Sequence, residues 1–342
     1  MEKKRLFGKT LAELSVVVRE ASLPPYAAKQ IAGWLYRRGA PEIRGMTDLS
    51  LTARSLLEQE YETGLLPPVS AATGSDGTKK YLFSISSNRF IETAFIPDRD
   101  RTTVCLSVQS GCRMGCRFCM TALQGFQGNL TANEILNQFR SIPEHDLLTN
   151  IVFMGMGEPL DNLEEVLRSL EVLTSEWGYG WSPTRITVST IGITGRIEEF
   201  LAQSKCHLAV SLHSPFDGER QSLMPAQKAH PVKEILDTIR GFDFGRQRRV
   251  SFEYIVFKGL NDTPAHVREL ARILNGIRCR INLIRFHDIP GSEFSSPGQS
   301  EMEAFRNSLN AKGIVATIRA SRGQDINAAC GLLSTLEQNK KL

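Results

Sequence analysis

The sequence predicts an α/β fold: a partial barrel of six βα units with a small helical accessory domain before it. The first observation is a steady alternation of strand-like and helix-like patterns after about residue 98, which is typical of a parallel sheet covered by helices. The second is the helical spacing of apolar residues before residue 62. Six βα units are too few for the standard barrel of eight, so we expect an open, partial barrel.

The N-terminal module is predicted over residues 11–61, where apolar side chains recur at helical spacing, as at Ile31 and Leu35. Two alternating segments, 80–85 and 90–95, are predicted to be short strands that lead into the main domain. The predicted division of the chain is an accessory domain (1–75), a β connector (76–97), the barrel (98–325) and a C-terminal helix or tail (326–342).

The main domain is predicted from apolar strand-like runs and from the helical patterns that follow most of them. A further strand at 313–319 and a final helix from about Ile326 are expected to close the chain. The strand-like runs occupy 103–108, 150–154, 185–189, 207–212, 250–256 and 280–285, and the helical patterns occupy 132–140, 163–176, 195–202, 232–240 and 264–274.

Composition excludes several classes of protein. The 342 residues are 41% hydrophobic and 23% charged, which is typical of a globular chain with one large domain and a smaller one. Seven unevenly spread cysteines do not fit a secreted disulfide framework. Glu13 and Arg19 interrupt the apolar run after the basic N-terminus, so we expect no signal peptide, no membrane association and a cytoplasmic location. The net charge of +4 favours nucleic acid only weakly.

Cys112, Cys116 and Cys119 are the strongest chemical signal in the chain. This spacing brings three thiolates onto one short loop, where they can ligate three irons of a [4Fe–4S] cluster and leave the fourth iron open. A structural zinc site usually has four protein ligands, and this loop contains no fourth Cys or His. The pattern favours the iron–sulfur cluster, with structural zinc or buried free thiols as alternatives.

Further polar residues follow the predicted strands at their carboxyl ends, where parallel α/β folds place their sites. Gly157 and Glu158 follow the second strand, so that backbone can approach a ligand closely and a carboxylate can bind an amine. Each such residue alone is more typical of a cap or turn, but the shared position after successive strands indicates a ligand site. The other members of this set are Ser189, Ser211, Leu212, His213 and His287.

The sequence resembles the radical S-adenosylmethionine (SAM) enzymes, and within them the adenosine RNA methyltransferases of the RlmN/Cfr group. The resemblance covers nearly the whole chain and depends on several motifs in combination. They are the run CLSVQSGCRMGCRFCMT from Cys105, Gln124-Gly-Phe, Asn129-Leu-Thr, Met154-Gly-Met-Gly-Glu-Pro-Leu, Ser189-Thr-Ile-Gly, Ser211-Leu-His, Leu223-Met-Pro, Asn282-Leu-Ile-Arg, Arg322-Gly-Gln-Asp-Ile and Ala328-Ala-Cys-Gly.

The resemblance implies the cofactors. Cys112, Cys116 and Cys119 would ligate one [4Fe–4S] cluster, whose open iron would bind SAM and whose electron would cleave SAM to a 5′-deoxyadenosyl radical. Two SAM molecules would be used in each turnover. The positions that match SAM contacts of the family are Gly157, Glu158, Ser189, Ser211, Leu212 through its backbone, His213, and His287, where the best-known members carry Asn.

The resemblance also gives roles to two more cysteines. Cys330 matches the residue that accepts a methyl group from one SAM, as S-methylcysteine, and a thiolate is a competent nucleophile for that step. Cys105 matches the thiol that resolves the protein–RNA crosslink and forms a transient disulfide with Cys330, and Glu92 matches the proton acceptor. Cys206 and Cys279 match no role and are interpreted as small buried hydrophobic residues.

The implied substrate is an adenosine of 23S rRNA at the peptidyl-transferase centre, together with an adenosine beside the tRNA anticodon. Each base must leave its stack to reach a pocket. The N-terminal module resembles the RNA-binding extension of the family, whose basic residues would contact phosphate. The resemblance further implies an electron donor such as flavodoxin or ferredoxin, and we expect a monomer.

Two branches of the family differ in the carbon that is methylated. Ser321-Arg322-Gly323 resembles the branch that modifies adenine carbon 2, which we favour. Ser189-Thr-Ile-Gly and His213-Ser-Pro are closer to the Cfr branch, which modifies carbon 8 and confers resistance to antibiotics that target the ribosome. Alternatives of other classes are a non-catalytic, metal-stabilised RNA-binding module, a radical SAM enzyme with another substrate, and an electron-transfer protein.

Overall fold

The structure is a computed structural model that describes residues 3–85, 89–245 and 249–335. Strands are numbered in chain order as β1 (Lys4–Arg5), β2 (Tyr61–Glu62), β3 (Ser70–Thr73), β4 (Lys79–Ile85), β5 (Arg89–Asp98), β6 (Arg101–Cys105), β7 (Gln109–Ser110), β8 (Gly128–Asn129), β9 (Asn150–Phe153), β10 (Ile186–Thr190), β11 (His207–Ser211), β12 (Val250–Val256), β13 (Cys279–Arg285) and β14 (Ala316–Ile318).

The helices are numbered in the same way. They are α1 (Leu11–Glu20), α2 (Ala27–Ala32), which continues as a π-helical segment (Gly33–Arg38), α3 (Leu51–Glu60), α4 (Met120–Gln124), α5 (Ala132–Arg140), α6 (Leu163–Thr174), α7 (Arg196–Gln203), α8 (Asp217–Leu223), α9 (Val232–Gly241), α10 (Pro264–Ile273) and α11 (Gln299–Ala311). Along residues 3–85, 89–245 and 249–335, no helix combines the length and apolar character needed to cross a bilayer.

The main sheet is open and contains ten strands within the described residues, in the order β14-β13-β12-β11-β10-β9-β6-β5-β4-β3. From β6 to β14 every pairing in this sheet is parallel and follows chain order. The helices α5, α6, α7, α9, α10 and α11 connect these strands in turn. The predicted partial barrel is therefore confirmed, with β14 as one further parallel strand.

The edge of the barrel continues into antiparallel strands. β5 pairs with β6 through contacts such as Phe95 with Val104, and β4 and β3 follow on its outer side. Residues 76–97, which the sequence predicts to be a connector, thus hold β4 and most of β5 and belong to the same sheet.

The predicted final helix is wrong for the residues that the structure describes. Gln324–Ile326 forms a single 3₁₀ turn, and residues 327–335 are irregular. Asn327 has a left-handed backbone (φ 53°), which ends the turn because a helix cannot continue through that conformation. We refer to residues 327–335 as the tail segment; residues 336–342 lie outside the described part of the chain.

The N-terminal module packs against the barrel at the start of α5. The Asn133 side-chain amide donates to the carbonyls of Phe7 and Gly64, at 3.1 and 3.0 Å. The Tyr36 ring lies 5.7 Å from the Tyr179 ring, between centroids. Apolar packing and these buried hydrogen bonds together hold the module on the outside of the barrel.

Candidate active site

A cavity of about 590 Å³ lies inside the barrel and extends between the two ends of its parallel strands. Alternate residues of each strand face it, as Ser251, Glu253 and Ile255 do in β12. At the carboxyl ends it is lined by the loops that follow the strands, and at the amino ends by residues such as Arg101 and Arg280. We call this space the barrel cavity.

The three-cysteine loop (residues 112–119) forms one wall of the barrel cavity, and all three thiols line it. Phe118 of the loop belongs to an apolar cluster, in which its ring lies 5.8 Å from the Phe257 ring, between centroids. Burial raises the pKa of Cys112 to about 12, and it raises the pKa of Cys116 and Cys119 as well. After burial, the charges of Cys119 and Cys112 also raise the pKa of Cys116, so three thiolates here would repel one another. Thiolate sulfur is the donor that binds the irons of a cluster, so the chemistry of this donor set fits one.

Gly157 and Glu158 line the same cavity, and the charge of Glu158 acts on Cys112 and Cys116. Gly157 has φ 97°, and a Cβ there would lie 2.5 Å from the Gln109 Cβ, so only glycine fits. The buried Glu158 carboxylate accepts hydrogen bonds from the Thr190 hydroxyl, the Ile191 N–H and one further backbone N–H. Burial raises the pKa of Glu158 to about 7, although these bonds lower it. A carboxylate accepts about four hydrogen bonds, which leaves room for a ligand donor.

The structure brings most of the predicted SAM contacts to this cavity. Ser189, Ser211, His213 and His287 all line it. Leu212 does not: its side chain is fully buried, and its N–H donates to the Glu253 carbonyl at 2.9 Å. Its backbone groups are thus engaged within the protein.

His213 is held in a strained but well-supported conformation. Its backbone is left-handed (φ 57°), and its Nδ1 accepts a hydrogen bond from the Ile255 N–H at 2.9 Å. That bond places the imidazole proton on Nε2. Burial, with a smaller effect from the Arg220 charge, lowers the pKa of His213 to about 3. The ring is therefore a neutral hydrogen-bond donor.

His287 is also buried, and its Nδ1 has no hydrogen-bond partner within residues 3–85, 89–245 and 249–335. Burial lowers the pKa of its imidazole, so the neutral ring can donate or accept. A buried, unpaired ring nitrogen that faces a cavity suits a ligand, as an Asn amide would.

Arg220 supports the site, and no sequence pattern pointed to it. This buried guanidinium donates to the carbonyls of Ile191 and Ser211 at 2.8 and 3.0 Å, and to that of Leu212 at 3.2 Å. It therefore joins the loops that follow β10 and β11. Burial lowers the pKa of Arg220 to about 10, so the side chain stays charged at neutral pH.

Cys105 and Cys330 lie far apart in the sequence, yet both line the barrel cavity together with Arg319. Burial raises the pKa of Cys105 to about 12; the charge of Cys330 raises it further, and that of Arg319 lowers it. The charge of Cys330 is in turn the main cause that raises the pKa of Arg319. The two thiols and the guanidinium are thus close enough to interact electrostatically. All seven cysteines are free thiols.

The tail segment reaches this position by packing on α4, the helix that follows the three-cysteine loop. The Met120 N–H donates to the Gly331 carbonyl at 2.8 Å, and the Thr121 hydroxyl donates to the Leu333 carbonyl at 2.7 Å. The Thr335 N–H donates to the Gln124 side chain at 2.9 Å. Cys330 is therefore held beside the cysteine loop by several separate hydrogen bonds.

Glu92 lies outside the barrel cavity. Its buried carboxylate pairs with the Lys80 ammonium at 2.9 Å and accepts a hydrogen bond from the Ser334 N–H at 2.9 Å. It lines a separate cavity of about 280 Å³ with Lys80 and Asn327. Glu92 and the two thiols therefore line different cavities, and the proton-accepting role stays a prediction.

Comparison with known proteins gives the family. Two family models match, that of the radical SAM superfamily over residues 106–272 and that of the ribosomal RNA large subunit methyltransferase N-terminal domain over residues 4–63. A relative from Parabacteroides distasonis, described as a probable dual-specificity RNA methyltransferase RlmN, is 56% identical and covers 98% of each chain. The dual-specificity RNA methyltransferase RlmN of Syntrophus aciditrophicus is 42% identical over 97% of each chain.

A solved structure agrees. The crystal structure of a radical SAM methyltransferase from Sphaerobacter thermophilus matches with a TM-score of 0.90 and 40% identity, over 96% of this chain and 98% of that one. Since relatives at this identity span almost its whole length, the chain belongs to the RlmN family of the radical SAM superfamily.

Proposed function

We propose that this protein is a radical SAM enzyme that methylates carbon 2 of an adenosine in 23S rRNA, at the peptidyl-transferase centre, and of an adenosine in the tRNA anticodon loop. The observation that carries the proposal is the meeting of Cys105 and Cys330 in the cavity that the three-cysteine loop lines. An enzyme that transferred a methyl group directly from SAM to a nitrogen or oxygen would need neither thiol.

The chain offers residues for both cofactors. Cys112, Cys116 and Cys119 would hold three irons of a [4Fe–4S] cluster, which when bound supplies the electron that generates a 5′-deoxyadenosyl radical from SAM. At the same end of the barrel, the Glu158 carboxylate can accept a hydrogen bond from SAM, and the His287 ring can donate one to SAM or accept one from it. Ser189, Ser211 and His213 would orient the rest of the molecule.

Cys330 would accept the methyl group of one SAM, so that a thioether bond replaces the bond between methyl and sulfonium. Arg319 lines the same cavity as Cys330. The S-methyl group would lose one hydrogen atom to the radical derived from a second SAM, and its carbon would bond to carbon 2 of the adenine, with one electron returned to the cluster. Cys105 would assist removal of the proton from carbon 2. The Cys105 sulfur would then bond to the Cys330 sulfur as the bond between Cys330 and the transferred carbon breaks, and that electron pair with a proton would complete the methyl group of the released base.

We propose a proton-accepting role for Glu92 on the basis of its contact with Ser334, four residues after Cys330. Residues 1–75 would bind RNA through their basic side chains. We further propose that the enzyme is a monomer and receives its electron from a donor such as flavodoxin or ferredoxin. We propose a cytoplasmic location because an oxygen-sensitive cluster needs a reducing compartment.

The test is mass spectrometry of adenosines from rRNA and tRNA of cells with and without the gene. We expect 2-methyladenosine to disappear from both RNAs on deletion and to return with the wild-type gene. Loss of 8-methyladenosine instead would indicate the Cfr-type reaction. Unchanged RNA, together with zinc in place of iron in anaerobically purified protein, would favour the non-catalytic RNA-binding module.

A further inference from the structure

A layer of polar side chains inside the barrel has no part in the roles described so far. Glu253 is only 3% exposed, and its Oε1 accepts hydrogen bonds from the Ser251 hydroxyl at 3.1 Å and the Asn282 amide at 2.7 Å. The Thr317 hydroxyl donates to the Asn282 carbonyl oxygen at 3.1 Å. We call Ser251, Glu253, Asn282 and Thr317 the polar layer; all four line the barrel cavity.

The second carboxylate oxygen of Glu253 is the exceptional atom of this layer. Oε2 is buried and has no hydrogen-bond partner among the residues that the structure describes. Leaving a buried acceptor unsatisfied is costly, whereas a donor supplied by a ligand would remove that cost. Because Glu253 lines the barrel cavity, this oxygen is available to a donor of a molecule bound there.

The depth of the polar layer indicates which molecule that is. Glu253 and Asn282 lie one pleat deeper in the barrel than Ile255 and Ile284, and so further from the carboxyl edge that carries the cluster loop and His287. The charge of Arg319 interacts with Glu253 as well as with Cys105 and Cys330. Glu253, Arg319 and the two thiols thus line the same cavity, into which a base must enter to reach the thiols.

We propose that Glu253 accepts a hydrogen bond from the exocyclic amino group of the substrate adenine. This inference rests on the proposed function and makes Glu253 a residue that determines specificity. A carboxylate can only accept, so a purine with a carbonyl at carbon 6 would be repelled, and a site built to bind a donor discriminates strongly against its absence. SAM carries an adenine with the same amino group, so the experiment must separate the two sources.

The main test compares RNA substrates with the reconstituted holoenzyme. Stem-loops that carry adenosine, purine riboside (no group at carbon 6) or inosine (a carbonyl there) at the target position are methylated in parallel. We expect wild-type kcat/KM to fall by roughly 100-fold or more from adenosine to either analogue. Equal rates on adenosine and purine riboside would overturn the proposal without any variant.

Glu253→Gln reverses the character of the atom that faces the base. The Gln carbonyl can keep the bonds from Ser251 and Asn282, while its NH₂ group replaces Oε2. We expect kcat/KM for adenosine RNA to fall by roughly 100-fold and kcat/KM for inosine RNA to rise, so that the preference for adenosine over inosine becomes smaller or is reversed. Glu198→Gln is the matched control, since it makes the same change at an exposed position of α7 and should alter nothing.

Two further measurements show whether the amino group that Glu253 binds belongs to the RNA or to SAM. SAM affinity by equilibrium dialysis, and S-methylation of Cys330 by mass spectrometry, should both be unchanged in Glu253→Gln. If SAM affinity falls while the preference for adenosine stays, the amino group is that of SAM and the proposal is overturned. If the wild type methylates adenosine RNA and Glu253→Gln keeps its full preference, the Glu253 inference alone fails. If the wild-type holoenzyme methylates no RNA, the proposed function fails with it.

Discussion

Glu92 in β5 accepts a hydrogen bond from the backbone N–H of Ser334 at 2.9 Å, across 242 residues of sequence. The same carboxylate pairs with Lys80 in the neighbouring strand β4. The edge of the main sheet therefore holds the segment that carries Cys330. The Glu92 carboxylate is thus one of several groups that hold the tail segment in place.

Replacing Glu92 tests this connection. Glu92→Gln removes the ion pair with Lys80 and replaces the charged acceptor of the Ser334 N–H by a neutral one. We expect the free energy of local unfolding of the tail segment to fall by about 2 kcal/mol. We expect faster hydrogen exchange of residues 328–335 and slower methylation. Lys80→Met is the control, because it removes the ion pair and leaves the acceptor for Ser334. If Glu92→Gln abolishes turnover while tail exchange stays as in the wild type, the carboxylate acts in proton transfer rather than in positioning.

Cys330→Ala should abolish methylation while iron content and SAM affinity stay as in the wild type. The tail segment is held on α4 by groups other than the Cys330 thiol, such as the Gly331 carbonyl, which accepts from the Met120 N–H. Loss of the thiol therefore leaves the position of the segment intact. The measurement is 2-methyladenosine in RNA together with iron analysis and SAM binding. Cys279→Ala is the matched control and should remain active. Residual turnover in Cys330→Ala would exclude the methyl-cysteine route.

Cys105→Ala should accumulate a covalent adduct between Cys330 and RNA. Cys105 shares the barrel cavity with Cys330, so its removal takes away the thiol placed to resolve that bond. Denaturing electrophoresis of labelled RNA would show a slowly migrating, protease-sensitive band. Free turnover without such a band would remove Cys105 from the mechanism.

His213 gives a prediction for pH. Its pKa is about 3 in the folded protein against an ordinary value of 6.5, so between these values the unfolded chain binds a proton that the folded chain does not. The contribution of His213 to the free energy of unfolding therefore decreases as pH falls below about 6.5, by up to about 1.4 kcal/mol per pH unit, whereas Glu158, with its pKa raised to about 7, contributes with the opposite sign between about pH 4.5 and 7. His213→Asn, which tolerates the left-handed backbone and can accept from Ile255, should remove this slope. Denaturant unfolding at several pH values measures it; an unchanged slope would contradict the assignment.

Gly157→Ala should weaken SAM binding and destabilise the protein by about 2–5 kcal/mol. The new Cβ would lie 2.5 Å from the Gln109 Cβ, in a backbone of φ 97°. Gly180→Ala separates strain from collision, because Gly180 has φ 66° and no atom within 4 Å of the added Cβ. Thermal unfolding and SAM titration of both variants are the measurements. Similar losses in the two would show that backbone strain alone is responsible.

Local patterns were sufficient for most elements of the barrel. The runs at 250–256 and 132–140 coincide with β12 and α5, because alternation and helical spacing are properties of neighbouring residues. The same reasoning was wrong at the C-terminus, where the tail segment packs on α4 through backbone and side-chain hydrogen bonds. Those contacts replace the helical bonds that the local pattern suggested.

The residues of the candidate site also differ in how far the sequence alone could reveal them. The three-cysteine loop was recognisable because all its ligands fall within one short run. Glu253 was missed, although polar residues at alternate positions of an otherwise apolar strand could have indicated it. Arg220 and Arg319 had no comparable signal, since an arginine in a helix or at a strand end is ordinary.

The sequence by itself determined the strand and helix order, the thiols of the loop and the family resemblance, because each is encoded in residues close together or in their identities. Only the tertiary structure decided that Cys105, Cys330 and Arg319 share one cavity, that Glu92 lines another, and that Glu253 lines the first with an oxygen that has no hydrogen-bond partner in the described part of the chain. These relationships depend on the order of the strands and on the packing of the tail segment against α4. They join distant parts of the chain, which no local pattern can specify.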